Sequence, residues 1–73
     1  MLRYKMIKEH LESEDIGKYT SFGIAAFDGV GNEILKISDV SLKRSIVAKL
    51  VRKCNRYKVS TVHIYDIIED ILP

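Results

Sequence analysis

The sequence has little of the chemistry that small proteins use to reinforce a thin core. Its 73 residues include a single cysteine, Cys54, so an internal disulfide is impossible and a zinc site built from cysteines is excluded. One lone thiol is typical of a reducing compartment, and we therefore expect a cytoplasmic protein. The chain has no apolar run near the roughly 18 residues that span a membrane, and its charged start, MLRYKMIKEHLE, lacks the apolar segment of a signal peptide.

Length and composition indicate one small globular domain, residues 1–73. Hydrophobic residues make up 47% of the chain, which is too many for intrinsic disorder. A chain of this size buries roughly 60% of the surface that its unfolded form exposes, so its core is thin. Because neither a disulfide nor an obvious metal site reinforces that core, self-association into a homodimer is one way to complete it. We leave the homodimer and the monomer open as alternatives.

The first half of the chain has the alternation and composition of three β-strands. Two connecting segments are rich in turn-forming residues, SEDIGK at 13–18 and DGVGN at 28–32. Gly23 interrupts the larger side chains of the second strand, which predicts a bulge or a close contact with a helix. The predicted strands are residues 2–11, 18–27 and 33–38, with Tyr4 and Met6 on one face of the first and Phe22, Ile24 and Ala26 on one face of the second.

The spacing of apolar residues changes from about 2 to 3.6 in the second half, which predicts two helices. The first helix begins after Ser41 as N-cap and ends near Arg56, and the second begins after Ser60 as N-cap. Together these elements predict an α+β fold of two layers, a three-stranded antiparallel β-meander packed against a C-terminal helical hairpin (β-β-β-α-α). The predicted apolar stripes are Leu42, Ile46, Val47, Leu50, Val51 and Cys54, and then Ile64, Ile67, Ile68 and Ile71 with Leu72 at the edge.

Several motifs resemble those of a known family. They are GKYTSFGIA at 17–25, the turn and strand at 28–34, and the ending SxxHxxDxxEDxL at 60–72. These motifs resemble a family of short uncharacterised clostridial proteins of the Firmicutes, a domain of unknown function, over nearly the whole chain. The resemblance implies a bacterial cytoplasmic protein with no assigned activity, no assigned cofactor and no catalytic residue to carry over.

The charge is strongly asymmetric along the chain. The stretch LKRSIVAKLVRKCNRYK at 42–58 has seven Lys or Arg and no acid, whereas the remaining residues carry five Lys or Arg and ten Asp or Glu. On a helical wheel, four of the seven cations fall in a band of about 100°, largely opposite the apolar stripe. This band is the candidate contact for nucleic acid or for an acidic partner, and it consists of Lys49, Arg52, Lys53 and Arg56.

Three interpretations of the basic band are open. It is the solvated side of the first helix, with its charge neutralised in part by acids of the second helix, or it contacts an acidic protein, or it contacts nucleic acid. Aromatic residues suited to stacking on bases would be Tyr4, Tyr19 and Phe22. The first functional hypothesis is a non-enzymatic protein-interaction or regulatory module, and the alternative is a nucleic-acid-binding accessory protein that uses the basic helix at 42–58.

Enzymatic chemistry has weak support in the sequence. His63, Asp66 and Asp70 share one side of the second helix, but three exposed side chains on one helix make a poor metal site. Cys54 falls among apolar positions, where a thiol acts as a small hydrophobic group. A domain of this size also has little room for a substrate pocket. We therefore expect no enzymatic activity, no catalytic residue, no metal, no cofactor and no small-molecule substrate.

Overall fold

A computed structural model describes residues 2–71 of the chain, which form three strands followed by two helices. The strands make one antiparallel sheet in the order β1-β2-β3, and helix α1 packs against all three of them. The predicted α+β meander with a helical hairpin is therefore confirmed. The elements are β1 (Arg3–Ser13), β2 (Gly17–Phe27), β3 (Glu33–Ser41), α1 (Arg44–Arg56) and α2 (Ile64–Ile71).

The turn between β2 and β3 is held by the side chain of Asp28. Its carboxylate accepts hydrogen bonds from the backbone N–H groups of Val30 and Asn32, both at 2.9 Å. Gly31 has φ 91°, a left-handed conformation that a side chain disfavours. The predicted hairpin turn at 28–32 is confirmed, because a short aspartate and a glycine supply what the backbone needs there.

One face of the sheet carries the hydrophobic core. The predicted alternation is confirmed, because side chains from one face of each strand join those of α1 and α2 in a single cluster. Each fully buried aliphatic side chain contributes about 1.5–3 kcal/mol to the free energy of unfolding. The residues of that cluster from the strands are Tyr4, Met6, Phe22, Ile24, Ala26, Leu35, Ile37 and Val40, and Leu2 joins them from just before β1.

The pairing of β2 with β3 is irregular where β2 carries a glycine. Phe22 lies opposite Ser41 and Ile24 opposite Ile37, so β3 has two more residues than β2 in this interval. The backbone of β3 consequently bends over Gly23, where a Cβ atom would collide with the carbonyl oxygen of Ile37. The predicted bulge is therefore confirmed, whereas the alternative of a close helix contact at Gly23 is wrong.

Helix α1 begins later than the sequence suggests. Ser41 remains in β3 opposite Phe22, and the N-cap is Lys43, which makes no hydrogen bond with its side chain. The Ser41 hydroxyl accepts the N–H of Lys43 at 3.1 Å, so it stabilises the turn before the helix. The predictions of Ser41 as N-cap and of Leu42 in the apolar stripe are therefore wrong, and Leu42 is 60% exposed.

The buried side of α1 consists of Val47, Leu50 and Cys54, all fully inaccessible to solvent. The next residue, Asn55, pairs with the edge of the sheet. Its side-chain oxygen accepts the N–H of Tyr4 at 2.8 Å, and its amide nitrogen donates to the Tyr4 carbonyl at 3.0 Å. The side-chain amide thus replaces a strand partner at this point of β1 and fixes the end of α1 against the sheet.

Helix α2 also begins later than predicted. Ser60 accepts the N–H of Val62 on its hydroxyl and the N–H of His63 on its carbonyl, which forms a turn, and the α-helix starts at Ile64. The prediction of Ser60 as N-cap is wrong in position, although its hydroxyl does stabilise the approach to the helix. The predicted stripe of Ile64, Ile67, Ile68 and Ile71 is confirmed, whereas Leu72 lies outside the described residues.

We predict that Gly23→Ala lowers the free energy of unfolding by about 2–3 kcal/mol, because the added methyl group forces apart two strands of the sheet. Urea denaturation followed by circular dichroism measures this change. Gly29→Ala is the matched control, since Gly29 is exposed in the turn and does not have a positive φ. Equal stability of Gly23→Ala and Gly29→Ala would contradict the close approach of β3 to Gly23.

Candidate functional site

The four predicted contact residues lie together on the outer side of α1. All four side chains are exposed, and the helix buries its opposite side against the sheet. They line one shallow depression, and a fifth residue, Tyr57, completes it. The structure therefore confirms the grouping that the helical wheel predicts for Lys49, Arg52, Lys53 and Arg56.

Acidic residues of α2 are the intramolecular partners that the sequence offers for this group. Asp66, Glu69 and Asp70 are exposed. The positive charge of the four cations is likewise presented to solvent, where it is screened by salt.

Tyr57 is an aromatic residue of this surface that sequence reasoning missed. Its ring is 64% exposed at the C-cap of α1, where its N–H donates to the carbonyl of Lys53 at 3.0 Å. The Arg56 guanidinium lies over the ring at 5.6 Å from the centroid, the arrangement of a cation–π pair. The available signal was its position directly after Arg56, at the predicted end of the basic helix.

The aromatic residues that the sequence suggested for stacking are placed elsewhere. Tyr4 is 2% exposed and donates its hydroxyl to the carbonyl of Val59 at 2.6 Å. Phe22 packs against the core, and the Tyr19 hydroxyl donates to Asp39 at 2.9 Å. The stacking prediction is therefore wrong for Tyr4 and Phe22, because the helices cover their face of the sheet.

Positive charge continues beyond the end of α1. Lys58 has φ 50°, so the chain turns sharply after Tyr57. Lys58 shares a second shallow depression with Arg3 and Lys5 at the start of β1, next to Asn55. Lys58 thus extends the run of positive charge along the chain, but it lies in a separate depression from the four cations of α1.

The uncovered face of the sheet holds a hydrogen-bond network that reaches from β1 to β3. Glu9 of β1 extends over Gly23, which has no side chain to block it. Its carboxylate accepts the N–H of Asp39 at 3.0 Å and the hydroxyl of Ser38 at 2.7 Å. These bonds, that of Asp39 first, lower the pKa of Glu9. Glu9 thereby satisfies the N–H that the bulge of β3 leaves without a strand partner.

Asp39 links this bulge to β2. It has φ 53°, a left-handed conformation that aspartate tolerates better than most residues. Its carboxylate accepts the hydroxyl of Ser21, which is fully buried and also lies 3.2 Å from the carbonyl of Ser41. The hydrogen bond to Asp39 raises the pKa of Tyr19. The polar groups of the network thus satisfy one another's hydrogen-bonding capacity, and this arrangement stabilises the bulge.

The other candidates from the sequence are dispersed or buried. Among residues 2–71 no three His, Cys, Asp or Glu side chains come together as metal ligands, and His63, Asp66 and Asp70 are exposed. Cys54 is fully buried, as its apolar position predicted, and burial raises the pKa of its thiol. Within the same part of the chain, neither helix combines the length and the apolar character that crossing a membrane requires.

These features define a small α+β protein with an open sheet and an exposed basic helix. The chain belongs to a family of unknown function, DUF6514, whose profile matches residues 1–73. No curated protein and no solved structure matches the chain. Membership confirms the predicted domain of unknown function, while the clostridial distribution stays a prediction.

We predict that Glu9→Gln lowers the free energy of unfolding by about 1 kcal/mol at neutral pH, because hydrogen bonds to a charged acceptor are the stronger ones. The ordinary pKa of a glutamate is 4.5, and that of folded Glu9 lies below it. Its contribution is therefore present above pH 4.5 and is lost as the pH falls through the folded pKa. Urea denaturation as a function of pH measures both effects.

The control for this experiment is Glu14→Gln, which removes the same charge from an exposed turn. The difference between the two variants should shrink as the pH falls. A constant difference, or none at neutral pH, would show that Glu9 does not stabilise the bulge through its charge.

Proposed function

We propose that the protein is a non-enzymatic interaction module that binds an anionic partner through the basic face of α1. The observation that carries this proposal is the row of four exposed cations along the outer side of one helix. A helix needs only its inner stripe for packing, so its outer side is free to be specialised for contact. The exposed row is Lys49, Arg52, Lys53 and Arg56.

Several observations support a binding role over catalysis. The depressions on the described surface are shallow and open, whereas substrate sites are usually enclosed. Cys54 is buried on the inner side of α1, where a raised pKa disfavours the reactive thiolate. A lone buried thiol also supports a cytoplasmic location, and the bacterial origin rests on the resemblance of the sequence motifs.

The spacing of the cations suits a partner with regularly placed negative charge. Lys49 and Arg56 are seven residues apart, which is about 10 Å along a helix. Within that length the row presents four charges to one side, close enough together for their attractions to add. Such a row attracts a polyanion at low ionic strength and releases it as salt screens the charges.

We predict that changing Lys49, Arg52, Lys53 and Arg56 together to Gln abolishes binding to polyanions. If the wild-type protein engages four phosphates, its affinity should fall about a hundredfold between about 50 and 200 mM salt. Fluorescence anisotropy with labelled single-stranded RNA, duplex DNA and polyglutamate measures binding to each kind of anion.

The matched control removes four lysines from the strands, all of them exposed. It changes the net charge by the same amount and should retain binding to within a few-fold. Equal loss of affinity in both variants would attribute binding to net charge, and undiminished binding by the α1 variant would contradict the proposal. The control positions are Lys5, Lys8, Lys18 and Lys36.

Self-association is a second candidate function, and the edge of β1 favours it. β1 has β2 on one side only. At Tyr4 the backbone N–H and C=O point away from β2 and are taken by Asn55. Since these groups alternate in direction along a strand, those of Met6, Lys8 and His10 point the same way, onto the open edge beyond Asn55.

The charges on this edge are self-complementary. In a homodimer paired antiparallel about a two-fold axis at His10, Lys8 of each copy lies opposite Glu12 of the other. Pairing about Lys8 would instead place like charges together. The axis at His10 is therefore the register that we propose for self-association, since opposite charges across strands are favourable.

We predict that Lys8→Glu weakens the homodimer about tenfold or more, because it places two glutamates together at both ends of the interface. Glu12→Lys should have a similar effect, and the double variant Lys8→Glu with Glu12→Lys should restore dimerisation. Sedimentation velocity over a range of concentrations measures each dissociation constant.

Lys43→Glu is the control for charge alone, since it makes the same change outside the sheet. A strictly monomeric wild-type protein at high micromolar concentration would contradict self-association. A dissociation constant that neither Lys8→Glu nor Glu12→Lys changes would contradict the register at His10.

A further inference from the structure

We propose that the anionic partner is a single-stranded nucleic acid, and that Tyr57 is the platform on which one of its bases stacks. This inference rests on the proposed function, because it assigns a partner class to the same surface of α1. It adds an aromatic contact to the electrostatic one and thereby distinguishes among polyanions.

The position of Tyr57 relative to the cations is the first argument. Its ring is 64% exposed and lines the same depression as the basic residues of α1. A single-stranded nucleic acid whose phosphates follow the row of cations can place a base on the ring of Tyr57 at the end of the helix. Positively charged grooves with exposed aromatic side chains are the common design of single-strand-binding surfaces.

The orientation of the ring is the second argument. The Arg56 guanidinium lies over one part of Tyr57, at 5.6 Å from the ring centroid. The Tyr57 backbone is held by its hydrogen bond to the carbonyl of Lys53. The cation–π contact favours this position of the ring over other rotamers, which lowers the entropy that a stacking contact must overcome.

The continuation of charge past Tyr57 is the third argument. Lys58 follows Tyr57 directly in the chain and is exposed. Cations thus precede and follow the aromatic residue along the chain, where the backbone of a bound nucleic acid can contact them. An acidic peptide satisfies the cations but has no base to place on the ring.

Single-stranded substrates are favoured over duplexes by the same geometry. The bases of a duplex are stacked on one another, so their faces are closed to a side chain, whereas an unpaired strand can turn a base outward. An exposed tyrosine at a helix end therefore contributes to binding only when the strand is unpaired.

The test compares the wild-type protein with Tyr57→Ala and Tyr57→Phe, using labelled oligothymidylate, oligouridylate, duplex DNA and polyglutamate. We expect the wild-type protein to bind one or both single strands more tightly than the duplex or the peptide. Tyr57→Ala should bind them about tenfold or more weakly, whereas Tyr57→Phe should stay near wild type because its ring is intact.

Two controls separate stacking from charge. Tyr65→Ala removes another exposed aromatic ring, 54% accessible, from α2 and should leave affinity unchanged. Tyr57→Ala should leave the salt dependence unchanged, whereas Arg52→Gln should reduce the logarithmic salt slope by about 0.7 if it removes one phosphate contact. Circular dichroism establishes that each variant is folded.

The outcomes distinguish this inference from the function on which it rests. Equal affinity for polyglutamate or duplex, or no effect of Tyr57→Ala, overturns the single-strand assignment and leaves an anion-binding surface. Failure of all four polyanions to bind at low salt overturns both. Tighter binding of single strands with a selective loss in Tyr57→Ala supports both.

Discussion

The packing of α1 across the middle strand is the contact on which the rest of the structure depends. Val47, Leu50 and Cys54 are fully buried together with Ile24 and Ala26 of β2. In so small a chain, apolar surface buried in this way is needed to offset the loss of conformational entropy. Because that stripe fixes the rotation of the helix, it also determines which residues face solvent. The exposure of the basic row is therefore a direct consequence of the core.

Two sets of side-chain hydrogen bonds stabilise the parts of the sheet that the hydrophobic core does not reach. Asn55 replaces a strand partner at Tyr4, so the end of α1 cannot slide along the edge of the sheet. Glu9 connects β1 with β3 across Gly23 and satisfies the backbone of the bulge. Both sets of hydrogen bonds connect residues about thirty or more positions apart. Because hydrogen bonds require a defined geometry, they fix the relative orientation of the connected elements as well as stabilising them. The thin core is thus supplemented by specific bonds at both ends of the sheet.

The sequence was sufficient for the order of elements, the apolar stripes and the basic row, because these follow from periodicity along the chain. It failed where a distant contact decides the outcome. Serine is a residue type that is favoured at N-caps, yet pairing with Phe22 keeps Ser41 in β3. Tyrosine is a residue type suited to stacking on bases, yet the helices cover the face of the sheet on which Tyr4 lies. The role of Tyr57 depends on where α1 ends, and a helix boundary is weakly encoded in local sequence.

The basic row and the open edge of β1 are separate surfaces, and their geometry relates the two proposals. A two-fold axis that pairs β1 with a second β1 runs perpendicular to the joined sheet, so both helical layers lie on the same side of it. The two basic faces would then point in one direction, away from the six strands. A single polyanion long enough to reach both would bind the second face at a high effective concentration. Weak contacts by two short basic rows would together give strong binding. A chain of 73 residues could in this way hold a long polyanion without a deep groove.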